Sequence, residues 1–252
     1  MTGLVAGDAV VVTGAAQGIG EAIALDLAGR GYNLALWDID AIGCERTARA
    51  CAEAGVQVIH AGVDMADAAA VQAASRAALV RFGAVPGLVS NAGIYPRASI
   101  LESTPEMWRE VLGVNLMGAV HSVKALLPDM IRHKRGAIVT VASGRALQGT
   151  PRGAHYAASK AAIISFTKSL AMETARDGVR ANCLVPGVTE TAQPLADRTL
   201  EELHEAASRQ IPMGRLGQCE DLTGTVRFLL GADSAFMTGQ SIAVNGGAIM
   251  IP

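Results

Sequence analysis

Short apolar runs, each closed by a glycine, an acid or a small polar residue, alternate along the chain with longer amphipathic or alanine-rich stretches. The runs predict strands at Ala9–Thr13, Leu34–Trp37, Val56–Ala61, Leu88–Ser90, Ala137–Ala142, Val179–Val185 and Ser241–Val244. Between them, helical patterning covers Glu21–Gly31, Ala41–Ala54, Asp67–Phe82 and a long stretch from Thr104-Pro105-Glu106 toward His133. A further helix opens at Tyr156 and runs through apolar Ala161–Met172, followed by Thr191–Ile211 and Glu220–Leu230. Strands that alternate with helices form parallel sheets. The predicted fold is therefore α/β: a single Rossmann-type domain spanning residues 1–252, with a doubly wound seven-stranded parallel sheet and helices on both faces. No linker, repeat or low-complexity tract interrupts the order.

Two amphipathic stretches say more. In the long helix, Thr104 is a cap-type residue with Pro105 behind it, and Pro128 is expected to kink or divide the helix. Trp108, Val111, Asn115, Ala119 and Val123 share one apolar face, which makes Asn115 a buried amide that must find partners. Leu200, Leu203, Ala207 and Ile211 form a stripe in the second stretch, so the segment from about 189 to 211 reads as either a substrate lid or a surface helix.

Composition narrows the class. Half of the 252 residues are apolar and 17% are charged, enough for a sizeable core, and the net charge of −2 offers no basic field for nucleic acid or anionic lipid. Cys44, Cys51, Cys183 and Cys219 show neither CxxC nor metal spacing, so reduced thiols and no metal are expected. No signal peptide is visible and no apolar run is expected to span a bilayer, which together suggest a cytoplasmic protein.

Candidate chemistry gathers at the carboxyl ends of the strands, where open α/β sheets bind ligands. After the first strand, Gly14-Ala15-Ala16-Gln17-Gly18-Ile19-Gly20 leads into a helix. That arrangement aims free N–H groups and a helix dipole at a pyrophosphate. Asp38 ends the second strand, where it can accept from both ribose hydroxyls and repel a 2′-phosphate; no Lys or Arg occupies positions 15 to 17. Both features favour NAD over NADP. Asp64 is either a contact for the adenine edge, with Met65 beside it, or an N-cap acid for the following helix. Asn91-Ala92-Gly93 closes the fourth strand, Gly93 allowing close approach of a ribose and Asn91 bonding the strand end. Ser143 follows the fifth strand.

Tyr156 and Lys160 stand four apart on one helix face. An ammonium ~5 Å from the phenol oxygen at an effective dielectric of ~20 favours phenolate by roughly 3 kcal/mol, moving a tyrosine pKa from ~10 toward ~8. Such a tyrosine is a general acid/base.

The residues Thr13-Gly14-x3-Gly18-x-Gly20, Asn91-Ala92-Gly93, Asn115, Ser143, Tyr156-x3-Lys160 and Pro186-Gly187, in this order, resemble the short-chain dehydrogenase/reductase family over nearly the whole chain. The resemblance implies a nicotinamide-dependent oxidoreductase, usually a homotetramer, whose interface would use the helices carrying Asn115 and Tyr156. It implies that Tyr156 exchanges the proton, that Ser143 binds the substrate oxygen, and that Lys160 lowers the Tyr156 pKa and holds the nicotinamide ribose. Asn115 would connect Lys160 to solvent, while Pro186, Gly187, Val188 and Thr189 hold the nicotinamide. Asn245 stands where many relatives carry Asp. By the same analogy Tyr95, Arg145, Gln148 and His155 are candidate contacts for a small alcohol or ketone. The expected activity is NAD-dependent interconversion of a secondary alcohol and a ketone. Its rivals are an NADPH-dependent 3-oxoacyl-thioester reductase and a catalytically silent NAD-binding regulator, against which the intact Ser143, Tyr156, Lys160 and Asn115 argue.

Overall fold

The computed structural model describes residues 3–191 and 199–250. Its strands are β1 (Ala9–Thr13), β2 (Asn33–Asp38), β3 (Val58–Gly62), β4 (Gly87–Ser90), β5 (Gly136–Val141), β6 (Val179–Pro186) and β7 (Ser241–Val244). They form one parallel, seven-stranded sheet in the order β3-β2-β1-β4-β5-β6-β7. The central strands β1, β4, β5 and β6 are buried along their whole length because both sheet faces are covered. Successive side chains of β1 enter opposite cores. Val10 and Val12 pack with α1 (Gly18–Gly29), α2 (Ala41–Ala52) and α9 (Glu220–Leu230), whereas Ala9 and Val11 face the layer of α3 (Ala68–Phe82), α5 (Gly118–Arg132) and α7 (Ala154–Thr174). The chain winds outward in both directions from β1 and β4, so a crevice opens beyond their carboxyl ends.

The long predicted helix is interrupted, but not at Pro128. Helix α4 (Pro105–Leu112) passes through a π turn at Gly113–Met117 before α5 begins, and Pro128 lies inside α5. The carbonyl that loses its donor to Pro128 belongs to Lys124, an exposed residue whose backbone can be solvated. As expected, Thr104 caps α4 by accepting from Met107 N at 3.3 Å. Pro105–Arg132 is 28 residues of helix containing an 18-residue window of mean hydropathy 1.3, long and apolar enough by those measures alone to cross a bilayer. It lies on the sheet as a core helix, burying Val111, Ala119, Val123, Leu126 and Met130.

Helix α8 (Leu200–Gln210) is set by a capping box between Thr199 and Glu202. It buries Leu203 and Ala207, with Ile211 beyond its end, against Leu216. Leu200, expected on the same stripe, is 40% exposed. Residues 192–198 of the expected lid lie outside the described residues.

Arg180 escaped the sequence reading. Buried within β6, its guanidinium donates to the carbonyls of Leu229, Leu230, Gly231 and Met237. It thereby satisfies the carboxyl end of α9, where a cation also complements the helix dipole.

Candidate active site

The crevice starts with a tie between β1 and β4. Thr13 Oγ1 accepts from Asn91 N and Ala92 N, both at 3.0 Å, and Asn91 Nδ2 donates to the carbonyls of Thr13 and Gly14, both at 3.1 Å. Asn91 thus fixes the strand end as predicted, whereas the Thr13 hydroxyl was overlooked. A polar residue ending an apolar strand was its signal. The glycine loop has no room for side chains: Gly14 sits at φ +66°, and a Cβ on Gly20 would lie 1.9 Å from Gly14 O. Gln17, at the N-cap of α1, is extended and exposed and makes no side-chain cap, which leaves the first N–H groups of Gly18, Ile19 and Gly20 open toward an anion. A bare backbone cradle at a helix start fits the pyrophosphate of a dinucleotide.

Beside it, Asp38 Oδ2 accepts from Ala16 N at 2.9 Å and Oδ1 from Asp40 N at 3.0 Å. Arg46 reaches the same loop from α2, its Nη2 donating to Ala16 O at 2.8 Å. No sequence signal had marked Arg46. Asp64 is not the helix cap: that role falls to Asp67, which accepts from Ala69 N and Ala70 N, while Asp64 accepts from Ala66 N in an exposed turn. Met65 is buried, its carbonyl bonded to His121 and its side chain against Gly118. At the other end, Pro186 closes β6, Gly187 N donates to Val244 O, and Thr189 is buried next to Gly217.

The expected catalytic residues converge. Asn115, in the π turn, accepts from Ile94 N at 2.8 Å and donates to Ile94 O and Ser159 Oγ, both at 3.0 Å. Ser159 in turn donates to Tyr156 O at 2.7 Å. Ser159 is a second overlooked residue, hidden among the unspecified positions between Tyr156 and Lys160. It joins the amide of Asn115 to the catalytic helix. A Cβ on Gly93 would come within 3.2 Å of Lys160 Nζ and 3.3 Å of Asn115 Oδ1, tight enough to press on both side chains.

The expected effect of Lys160 on Tyr156 needs correcting. Lys160 Nζ donates to Val141 O at 2.8 Å and stands 5.9 Å from the centre of the Tyr156 ring. Burial drives its own pKa down to about 8, weakly opposed by Cys183. The Tyr156 pKa is raised, chiefly by burial; a hydrogen bond from Ser143 opposes the rise, Tyr95 adds to it and Arg145 lowers it. The simple Coulomb argument omitted the desolvation of both groups.

The substrate candidates divide. Tyr95 stacks on Tyr156 and shares a 3.2 Å hydrogen bond with Thr150. Arg145 is half-buried at the start of α6 (Arg145–Gln148), its N–H bonded to Ser143 Oγ at 3.2 Å, whereas Gln148 is exposed. His155 is buried against Trp108; its Nδ1 accepts from Tyr156 N at 2.8 Å, so the proton sits on Nε2, which has no partner among the described residues. Burial also lowers its pKa, keeping the ring neutral. No cluster of metal-ligating side chains occurs among the described residues, and the cysteines are free thiols.

Comparison with known proteins agrees with this geometry. A family model described as enoyl-(acyl carrier protein) reductase matches residues 14–248. The chain is 36% identical over 244 residues to the 3-oxoacyl-[acyl-carrier-protein] reductase FabG of Staphylococcus aureus, covering 95% of this chain and 97% of that one. A structure from Sinorhizobium meliloti 1021, described as a short-chain alcohol dehydrogenase, superposes with a TM-score of 0.93 at 30% identity, covering 97% of each chain. One from Beutenbergia cavernae, described as an NAD(P)-dependent gluconate 5-dehydrogenase and solved with NADP at low occupancy, gives 0.91 at 37% identity over 96% of this chain and 97% of that one. A parallel Rossmann-type sheet, a bare glycine cradle and a Ser-Tyr-Lys-Asn cluster define a dinucleotide-linked oxidoreductase. The chain belongs to the short-chain dehydrogenase/reductase family.

Proposed function

We propose that the protein interconverts a secondary alcohol and a ketone with NAD(H). The observation that carries the cofactor choice is Asp38, whose carboxylate ends β2 beside the glycine loop with no basic residue at positions 15 to 17. A carboxylate there favours two free ribose hydroxyls over a 2′-phosphate. The loop from Gly14 to Gly20 would hold the pyrophosphate, Asp64, Met65 and Asn91-Ala92-Gly93 the adenosine side and first ribose approach, and Pro186–Thr189 the carboxamide. When bound, the nicotinamide supplies the hydride acceptor or donor. Tyr156 moves the proton at its phenol oxygen, and Ser143 holds the substrate oxygen as charge develops on it. Lys160 holds the nicotinamide ribose and, once its charge is engaged there, works against the burial that raises the Tyr156 pKa. Asn115 fixes the Ile94 backbone at the floor of the site and links Lys160 toward solvent.

A second reading is an NADPH-dependent 3-oxoacyl-thioester reductase. The FabG relatives favour it, and so does Arg46, a cation that reaches the loop at Ala16 and could meet a 2′-phosphate. The chemistry is the same, because a 3-oxoacyl group is itself a ketone. A cytoplasmic homotetramer belongs to either reading, supported by apolar side chains left on the surface, among them Phe236 and Met172.

The deciding experiment follows NADH and NADPH absorbance against paired alcohols and ketones, including a 3-oxoacyl thioester, with wild type and Asp38→Ala. The first reading expects NAD(H) preference that Asp38→Ala erodes. NADPH preference with the thioester would overturn it in favour of the second, and an unchanged cofactor ratio in the variant would remove Asp38 from the cofactor site.

A further inference from the structure

Arg145 differs from the other arginines of the described residues. Arg135, Arg180 and Arg227, partly or wholly buried like it, are held by carboxylates or carbonyls, and Arg97 lies over the Tyr95 ring at 5.1 Å. Arg30, Arg76, Arg81 and Arg176 are exposed to water. Arg145 alone is half-buried with no ion pair or side-chain hydrogen bond to another described residue. Its stem is partly covered while its guanidinium holds no partner among the described residues, which leaves that charge available to a ligand.

Its position says which ligand. Arg145 follows Ser143 by two residues, its backbone N–H on the Ser143 hydroxyl, and its charge acts on the Tyr156 phenol. Tyr95 stacks on that phenol ring, centroids 4.2 Å apart, with the Arg97 guanidinium on its outer face. No carboxylate of the described residues is among the charges acting on Tyr156. Among the described residues, the charged side chain that acts on the reacting phenol is therefore the Arg145 cation.

We propose that the substrate is a hydroxy carboxylate, oxidised to the matching oxo carboxylate, and that Arg145 binds its carboxylate a few bonds from the carbinol carbon. This rests on the oxidoreductase reading above. The carbinol gives its hydride to NAD+ and its hydroxyl proton to the Tyr156 phenolate, and the carboxylate passes through unchanged. A fork-shaped guanidinium suits a planar carboxylate in two-point contact.

The test compares kcat/KM with NAD+ for a series of hydroxy carboxylates and their methyl esters, in wild type, Arg145→Gln and Arg145→Lys. NADH binding, read by fluorescence, reports that each variant is folded. The expected result is a preference for the free acid of at least about tenfold, lost in Arg145→Gln through a raised KM and partly restored in Arg145→Lys. Equal use of acid and ester by wild type, or turnover of uncharged alcohols alone, overturns the carboxylate while leaving the oxidoreductase reading intact. A preference unchanged in Arg145→Gln, with kcat falling equally for acid and ester, assigns Arg145 to tuning Tyr156 and overturns the proposal. Silence across the series with NADH still bound defeats the oxidoreductase reading itself.

Discussion

Tyr95 lies face to face with Tyr156, their ring centroids 4.2 Å apart and their planes within 18°. The contact joins the loop after β4 to the start of α7, and it places an aromatic wall against the ring that must present its phenol to substrate. A Cβ on Gly153 would come within 2.5 Å of Tyr95, so the residue before α7 has to be bare for the stack to close.

An aromatic stack of this kind contributes ~0.5–1.5 kcal/mol, which corresponds to up to about tenfold in rate if it is needed at the transition state. Tyr95→Phe keeps the ring and should stay within about twofold of wild type. Tyr95→Ala should lose roughly five- to tenfold in kcat/KM by the same arithmetic. Steady-state kinetics of the two variants checks this, and full activity in Tyr95→Ala would remove the stack from the account.

Lys160 should cost the fold stability. Its pKa falls from 10.5 to about 8 in the folded protein, so between those values the unfolded chain holds a proton that the native state has released. Stability then rises with pH across that window, and below about 8 the penalty is fully present. At neutral pH Lys160→Met relieves ~3 kcal/mol of buried charge but leaves the Val141 carbonyl without its donor, a loss of ~1–2 kcal/mol. The net is a gain of about 1–2 kcal/mol and a Tm higher by roughly 2–6 °C, in a variant that no longer turns over. Thermal unfolding at neutral and alkaline pH reads it directly, with the gain shrinking as pH rises. A lower Tm at neutral pH would show that the ammonium is not destabilising.

Arg180 should do the opposite. Replacing it with Leu strands the buried carbonyls that it caps at the end of α9, at a cost of ~2–4 kcal/mol; Arg180→Lys keeps the charge but not the fork and should recover only part. The urea midpoint should fall in that order. An unshifted midpoint for Arg180→Leu would mean that water replaces the guanidinium without loss.

How much of this was legible in the sequence follows from what each feature depends on. The strands of the sheet interior announced themselves, because β1, β4 and β5 are mostly apolar and, with β6, are buried along their whole length, as a parallel sheet covered on both faces demands. Asn115 was legible as a buried amide, since its helical face was otherwise apolar. Its partner Ile94 was not, because the π turn that brings them together is set by tertiary contact rather than by local propensity. Pro128 drew attention to the wrong place: α5 continues through it, and the carbonyl it orphans belongs to exposed Lys124, where water can take the lost donor's place. Arg180 was hidden for a similar reason, its acceptors lying 49 to 57 residues further along the chain. Asp64 and Asp67 are both acids ahead of one helix, and only the backbone shows which of them caps it. The Tyr156 pKa was misjudged because charge spacing can be read from a helix pattern, whereas burial cannot.

The central claim is that Tyr156 carries the proton in a nicotinamide-linked oxidation or reduction. Its most direct test is Tyr156→Phe, measured both for turnover on the substrate that the panel identifies and for NADH affinity by fluorescence. The account predicts a fall in kcat of at least about a hundredfold, the size expected for loss of a general acid/base, with NADH affinity nearly unchanged. Turnover equal to wild type would contradict it.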